Sequence, residues 1–91
     1  MKPSELLSDA SKWTQGSSGR TADGRHVGAL HPDAVRWCMF GAMVKCGMDS
    51  LQIDDQIEIF GRKYGGAPSD WNDRAMRNFE QVRERLQEMG L

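Results

Sequence analysis

The segment 37–42, which reads Trp-Cys-Met-Phe-Gly-Ala, is the sequence feature that most constrains how this chain folds. It places bulky, thiol and very small residues side by side, where an ordinary core would use Leu and Ala. A glycine inside a helix costs about 1 kcal/mol relative to alanine. Gly41 therefore predicts that another backbone or an aromatic ring approaches closely at this point, so that the segment packs at a defined helix junction.

Apolar periodicity predicts four helices, at about residues 4–14, 32–46, 50–63 and 73–89. The second is apolar on nearly every side, which is typical of a central helix, and Gly47 ends it. Asp49 with Gln52 forms a capping box at the start of the third helix. Asn78 with Gln81 forms another, which allows the last regular helix to begin near Phe79, with residues 71–77 as a turn or a separate short helix.

Residues 16–30 have a different composition, since they hold four of the ten glycines and few large apolar side chains. Asp23-Gly24 within them marks a tight turn. We expect a long glycine-rich loop between the first two helices, with a short hairpin as the alternative. With no convincing strand elsewhere, the prediction is an all-α fold in which residues 1–91 form a single small helical domain.

An ordered set of short strings resembles DUF6197, a family of small bacterial and phage proteins of unknown function. The resemblance covers almost the whole chain and implies a helical architecture and a bacterial or phage source, with no activity to carry over. Family members often have Thr and Glu where this chain has Asn78 and Gln81, a change that preserves a capping box. The strings are Trp13-Thr14, Ala22-Asp23-Gly24-Arg25, Ala34-Val35-Arg36-Trp37-Cys38, Gly41-Ala42, Trp71-Asn72-Asp73, Arg77-Asn78 and Gln81-Val82.

Four residues of the right chemical type for zinc occur in the chain: His26, His31, Cys38 and Cys46. Structural zinc sites usually present ligands in pairs two to four residues apart, and these four are not so spaced. Cys38 paired with a histidine is also a candidate nucleophile, but burial in an apolar helix raises the pKa of a thiol and suppresses the reactive thiolate. We therefore expect two reduced, buried thiols, no metal, no cofactor and no enzyme activity.

Asn72 and Asp73 follow Trp71 and allow two interpretations. An aromatic ring beside two hydrogen-bonding side chains is typical of a small-ligand site. The alternative is that Asn72 or Asp73 caps the last helical segment while Trp71 closes the core. The second interpretation is favoured.

Four arginines, Arg74, Arg77, Arg83 and Arg85, lie close together near the end of the chain and are a candidate contact surface. They alternate with acidic residues, which is typical of a solvated helix face. The second and third helices also resemble a helix-turn-helix pair, so a DNA-associated regulator is the alternative function. The third helix would nevertheless present Asp54, Asp55 and Glu58 to the phosphates, which disfavours nucleic acid.

The chain has 12 Lys and Arg against 13 Asp and Glu, so no overall charge attracts it to nucleic acid or to a membrane surface. No apolar run approaches the roughly 18 residues that a membrane span needs, and we expect a cytoplasmic protein. The six methionines favour an adaptable contact surface, so self-association is also open. The expected function is noncatalytic macromolecular binding, most simply of a protein partner, in a phage or prophage accessory role.

Overall fold

A three-stranded antiparallel sheet and five helices make up the fold, and a computed structural model describes all 91 residues. The helices and one 3-10 turn together account for 48% of the chain. The sheet has the strand order β2-β1-β3. In chain order the elements are α1 (Pro3–Leu6), a 3-10 turn (Ala10–Lys12), β1 (Gly19–Arg20), β2 (His26–Val27), β3 (Arg36–Trp37), α2 (Met39–Lys45), α3 (Ser50–Tyr64), α4 (Pro68–Asn72) and α5 (Phe79–Glu88).

The all-α prediction is wrong, because the sheet makes this a mixed α/β protein. Gly19 pairs with both Val27 and Trp37, and Arg20 pairs with both His26 and Arg36. Each strand has only two residues, whereas the alternation that identifies a strand in a sequence needs about four to eight. The signal that would have predicted this sheet is therefore absent from its strands.

The glycine-rich segment 16–30 is not one long loop but contains the β1–β2 hairpin. Thr21 closes its turn, since its backbone N–H donates to the carbonyl of Arg25 at 3.0 Å and its hydroxyl accepts from the backbone N–H of Arg25 at 3.0 Å. Gly24 has a φ of 88°, a left-handed conformation that favours glycine. Asp23-Gly24 was thus correctly predicted as a turn, and the hairpin alternative is the one that the structure adopts.

The predicted helix 32–46 divides into β3 and the shorter helix α2. Trp37 lies in β3 and not in a helix, with its indole Nε1 donating to the carbonyl of Ala29 at 2.9 Å. The backbone N–H of Val35 donates to the carbonyl of Arg20 at 2.9 Å, which extends the pairing with β1. Since Val and Trp also favour extended backbone, these long-range bonds outweigh the helical pattern.

The predicted helix 4–14 is also too long, because α1 ends at Leu6 and a separate 3-10 turn follows. Asp9 caps this turn, accepting from the backbone N–H of Ser11 at 2.8 Å. Ser and Asp side chains compete with the helix for backbone hydrogen bonds, which explains the break.

The predicted helix at 50–63 is confirmed in α3, with its end one residue later. The capping box at its start is confirmed too, with Asp49 accepting from the backbone of Gln52 at 2.8 Å and Gln52 accepting from the backbone of Asp49 at 2.9 Å. Gly47, with a φ of 87°, ends the preceding helix as predicted.

The predicted last helix, 73–89, is shorter than expected, because α5 begins only at Phe79. The capping box of Asn78 and Gln81 marks this start, as its residue types indicate. Residues 68–72 form the separate helix α4, which begins at Pro68.

The core joins all of these elements around α2. Gly41 lies against the loop before β1, where an ideal Cβ atom at this position would be only 1.8 Å from the carbonyl oxygen of Ser18. The close backbone approach predicted for Gly41 is confirmed. The buried side chains of the core are Leu7, Ala29, Ala34, Trp37, Met39, Ala42, Met43, Ile53, Phe60, Phe79, Val82 and Leu86.

None of the helices combines the length and the apolar character that crossing a lipid bilayer requires.

Candidate functional site

Asn72 is completely buried at the end of α4 and uses its whole hydrogen-bonding capacity. Its Oδ1 accepts from the indole Nε1 of Trp13 at 2.8 Å and from the backbone N–H of Met39 at 3.1 Å. Its Nδ2 donates to the carbonyl of Thr14 at 3.1 Å and to Oδ1 of Asp73 at 2.9 Å. Since Met39 is the first residue of α2, Asn72 satisfies a helix N–H group that has no partner within the helix.

Asp73 and its neighbours join the chain after α4 to the chain after the 3-10 turn. Oδ1 of Asp73 accepts from the backbone N–H of Gly16 at 2.9 Å. The amide of Gln15 donates to the carbonyls of Asn72 and Arg74, at 2.8 and 2.9 Å. The cap of α5 is Asn78, so Asn72 and Asp73 connect distant segments instead of capping the last helix. Four hydrogen bonds to the protein occupy the Asn72 amide, and a ligand at this position would have to displace one of them.

Cys38 does not lie inside a helix, as the sequence suggested, but is the N-cap of α2. Its sulfur accepts from the backbone N–H of Gly41 at 3.3 Å. Burial raises the pKa of the Cys38 thiol and also that of the Cys46 thiol, which is partly exposed. His26 is exposed on β2 and His31 is exposed in the loop between β2 and β3. The structure brings no three His, Cys, Asp or Glu side chains together in a group that could hold a metal ion.

We expect the two thiols to differ in reactivity because Cys38 is only 5% exposed, although it lines a small hollow, whereas Cys46 is partly exposed in a surface cleft. Timed labelling of the native protein with iodoacetamide, followed by mass spectrometry of its peptides, should modify Cys46 about tenfold faster or more. Since burial raises the pKa of Cys46, the midpoint of its labelling rate against pH should lie above the usual thiol pKa of about 8.5. Equal rates in the native protein would contradict the buried position of Cys38, and equal rates in denaturant are the control.

Two of the four predicted arginines stack on Trp71. The guanidinium carbon of Arg77 is 3.8 Å from the ring centroid of Trp71, and that of Arg85 is 4.4 Å from it. Arg85 also stacks on Tyr64 at 3.6 Å. Burial, followed by the positive charges of Arg74 and Arg85, lowers the pKa of Arg77. These two arginines therefore serve mainly as packing partners of aromatic rings, with part of their donor capacity turned away from solvent.

Arg74 and Arg83 remain exposed and form no ion pair with an acidic residue of the chain. Of the four arginines, Arg74 has a distinctive neighbour, since Met76 is 90% exposed in the same turn between α4 and α5. The backbone N–H of Arg77 donates to the carbonyl of Arg74 at 2.9 Å and closes this turn. Arg77 Nε also donates to the carbonyl of Trp71 at 3.0 Å, which holds the turn against α4. We call Arg74, Met76 and Arg77 the Met76 knob.

An open apolar groove of about 470 Å³ lies between α2 and α3. Four of its five apolar side chains are only partly covered, although the helices that carry them pack into the core. The groove is therefore apolar surface without a partner within the chain. We call it the α2–α3 groove, and its apolar residues are Phe40, Val44, Met48, Ile53 and Ile57.

The rim of the α2–α3 groove is acidic. Asp49, Ser50 and Asp54 line it, and all three are exposed. Neither aspartate forms an ion pair with a Lys, Arg or His side chain of the chain, and Leu51, 76% exposed, precedes Asp54 by one helical turn. A groove with an apolar floor and a negatively charged rim is complementary to a protein segment that is apolar and carries positive charge.

The groove is not among the features that the sequence predicts, although a signal for it is present. The apolar character of segment 32–46 on nearly every side predicts a central helix. A helix of seven residues in a 91-residue chain has too few neighbours to cover all of its sides. Phe40 and Val44 pack against the core and are only partly covered, so they form the uncovered part.

Comparisons with known proteins identify the family and nothing more specific. The model of a family of unknown function, DUF6197, matches residues 3–89 and confirms the resemblance seen in the sequence. No curated protein and no solved structure matches the chain.

Proposed function

We propose that this chain, which belongs to the DUF6197 family of unknown function, is a noncatalytic protein that works by binding another protein. The observation that carries the proposal is the α2–α3 groove, because it leaves partly covered apolar side chains beside two carboxylates, Asp49 and Asp54, that form no ion pair. Moving the apolar side chains out of water and into contact with a partner lowers the free energy, which favours binding. The bound segment would be apolar on one side and basic at its edges.

The polar clusters support binding more than chemistry. The buried amide of Asn72 is saturated by protein groups, and the thiol of Cys38 has a raised pKa and no histidine as a hydrogen-bond partner. A nucleophile needs the opposite arrangement, with a nearby base or a lowered pKa. Neither cluster therefore offers a prepared catalytic group.

The charges of α3 support a protein partner over nucleic acid. Asp54, Asp55 and Glu58 are exposed on this helix, and only Glu58 forms an ion pair, with Arg62 at 3.8 Å. Phosphate groups would be repelled by this face if α3 entered a DNA groove. DNA association remains the alternative, and it predicts binding to random duplex DNA that weakens steeply with salt.

The test is affinity capture from a lysate of the native host with three versions of the protein, each confirmed as folded by circular dichroism. We expect the unmodified chain to enrich a protein partner and Ile57→Asp to lose it, because a charge in the groove floor opposes apolar contact. Glu84→Lys is the matched control, since Glu84 is exposed on α5 outside the groove and its replacement should retain the partner.

Two results would contradict the proposal. One is a partner retained equally by Ile57→Asp, which would place binding elsewhere. The other is no enriched protein together with a salt-sensitive shift of duplex DNA at about 50 mM salt, which would favour the DNA alternative.

A further inference from the structure

The Met76 knob and the α2–α3 groove are complementary in chemistry. The knob presents an apolar side chain, Met76, which is 90% exposed, two residues after the exposed cation Arg74. The groove presents apolar side chains between the carboxylates of Asp49 and Asp54. Opposite charges around matching apolar surfaces are the pattern that selects and orients partners. Both halves of this pattern occur on one chain.

The knob and the groove also lie on neighbouring parts of the surface. Phe40 lines the groove and, on its other side, a small hollow of about 220 Å³ that Asp73 also lines. Asp73 directly precedes Arg74, the first residue of the knob. The two features are therefore neighbours on the surface, with Phe40 and Asp73 between them.

We propose that this part of the surface binds a second copy of the chain, with the Met76 knob of each copy seated in the α2–α3 groove of the other. A two-fold axis makes both contacts at once and closes the assembly at a dimer. This inference goes beyond the proposed function, because it needs no component other than the chain itself. Since both contacts use the α2–α3 groove, the dimer and a complex with another protein exclude each other there.

The knob is held ready for such a contact before association. Its turn is closed by the hydrogen bond between Arg77 and Arg74, and the Arg77 guanidinium is fixed by Trp71 through stacking and through the hydrogen bond to its carbonyl. A surface that is already ordered loses less conformational entropy on binding. The contact is nevertheless small, so we expect a dissociation constant in the micromolar range, about 10 to 100 μM.

Sedimentation velocity of the purified full-length chain tests this inference. The average mass should rise from that of a monomer to that of a dimer as the protein concentration is increased from about 5 to 500 μM. When the salt concentration is raised from about 50 to 500 mM, more protein should be needed for the same rise. Met76→Asp should raise the dissociation constant about tenfold or more, because it places a carboxylate against the acidic rim. Leu30→Asp is the matched control: Leu30 is 66% exposed, lines neither surface, and its replacement should leave the constant unchanged.

Charge reversal provides the sharper test. Asp54→Arg and Arg74→Asp should each weaken dimerisation about tenfold, since each places like charges across both contacts. A 1:1 mixture of the two variants should restore the dimer, because every contact then joins opposite charges. All of these positions are exposed, so circular dichroism should show unchanged folding.

Three outcomes would overturn the proposal. The first is a monomer at the highest concentration in low salt. The second is a dimer that Met76→Asp leaves intact, and the third is a mixture of charge variants that stays monomeric. Because no lysate is involved, a failure here is distinct from a failure of partner capture.

Discussion

Gly41→Ala should lower the free energy of unfolding by about 3 kcal/mol or more, although it adds a single methyl group. An ideal Cβ at this position would lie 1.8 Å from the carbonyl oxygen of Ser18 and 2.8 Å from its carbonyl carbon. The obstacle is backbone, so no side-chain rotation relieves the clash, and α2 must separate from the loop before β1. Chemical denaturation of the two proteins, followed by circular dichroism, measures the difference.

Gly61→Ala is the matched control, because Gly61 also lies inside a helix, α3. A Cβ there would meet its nearest atom, the carbonyl oxygen of Gly66, at an ordinary 3.6 Å. With no clash, the higher helix propensity of alanine should stabilise the protein by about 0.5 to 1 kcal/mol. Equal effects of the two substitutions would mean that Ser18 does not press against α2.

Asn72→Ala should destabilise the protein by about 3 to 5 kcal/mol, the second large effect. It leaves the backbone N–H of Met39, the indole N–H of Trp13 and the carbonyl of Thr14 without the partners that they have now. Each buried polar group without a partner costs about 1 to 3 kcal/mol. Denaturant unfolding again gives the value.

The control replaces a second asparagine, Asn78, which is exposed where Asn72 is buried. Asn78→Ala removes an exposed N-cap of α5, whose side chain accepts from the backbone of Gln81 at 2.9 Å. Water replaces this bond, so we expect a loss of only about 1 kcal/mol. If Asn72→Ala cost no more than Asn78→Ala, the buried network would not be what joins α4 to α2.

Local signals in the sequence were sufficient where one element depends on its own residues. The bounds of α3 were predicted to within one residue, because Asp49 and Gln52 cap it and its apolar side chains recur at helical spacing. Asn78 and Gln81 likewise marked the true start of α5. A capping box lies within four consecutive residues, so no tertiary information is needed to recognise it.

The candidate contact residues were predicted less completely. Arg74 and Arg77 belong to the arginine cluster that the sequence indicates, but their arrangement with Met76 in one turn depends on the break between α4 and α5. The α2–α3 groove was not predicted at all, since its residues come from two helices and count as a site only because nothing covers them. Exposure of an apolar side chain is a property of the packed molecule.

The sequence by itself determined the helical segments with internal caps, the turn at Asp23-Gly24, the need for close approach at Gly41 and the family. Only the tertiary structure decided that Trp37 lies in a strand, that Asn72 connects α4 to α2 and that the sheet exists. Two physical reasons apply: Asn72 bonds to Trp13, 59 residues away, and the strands pair through only two residues each, too few to give a pattern in the sequence. Such bonds form only after the chain has folded, and they then override the local preference of segment 32–38 for a helix.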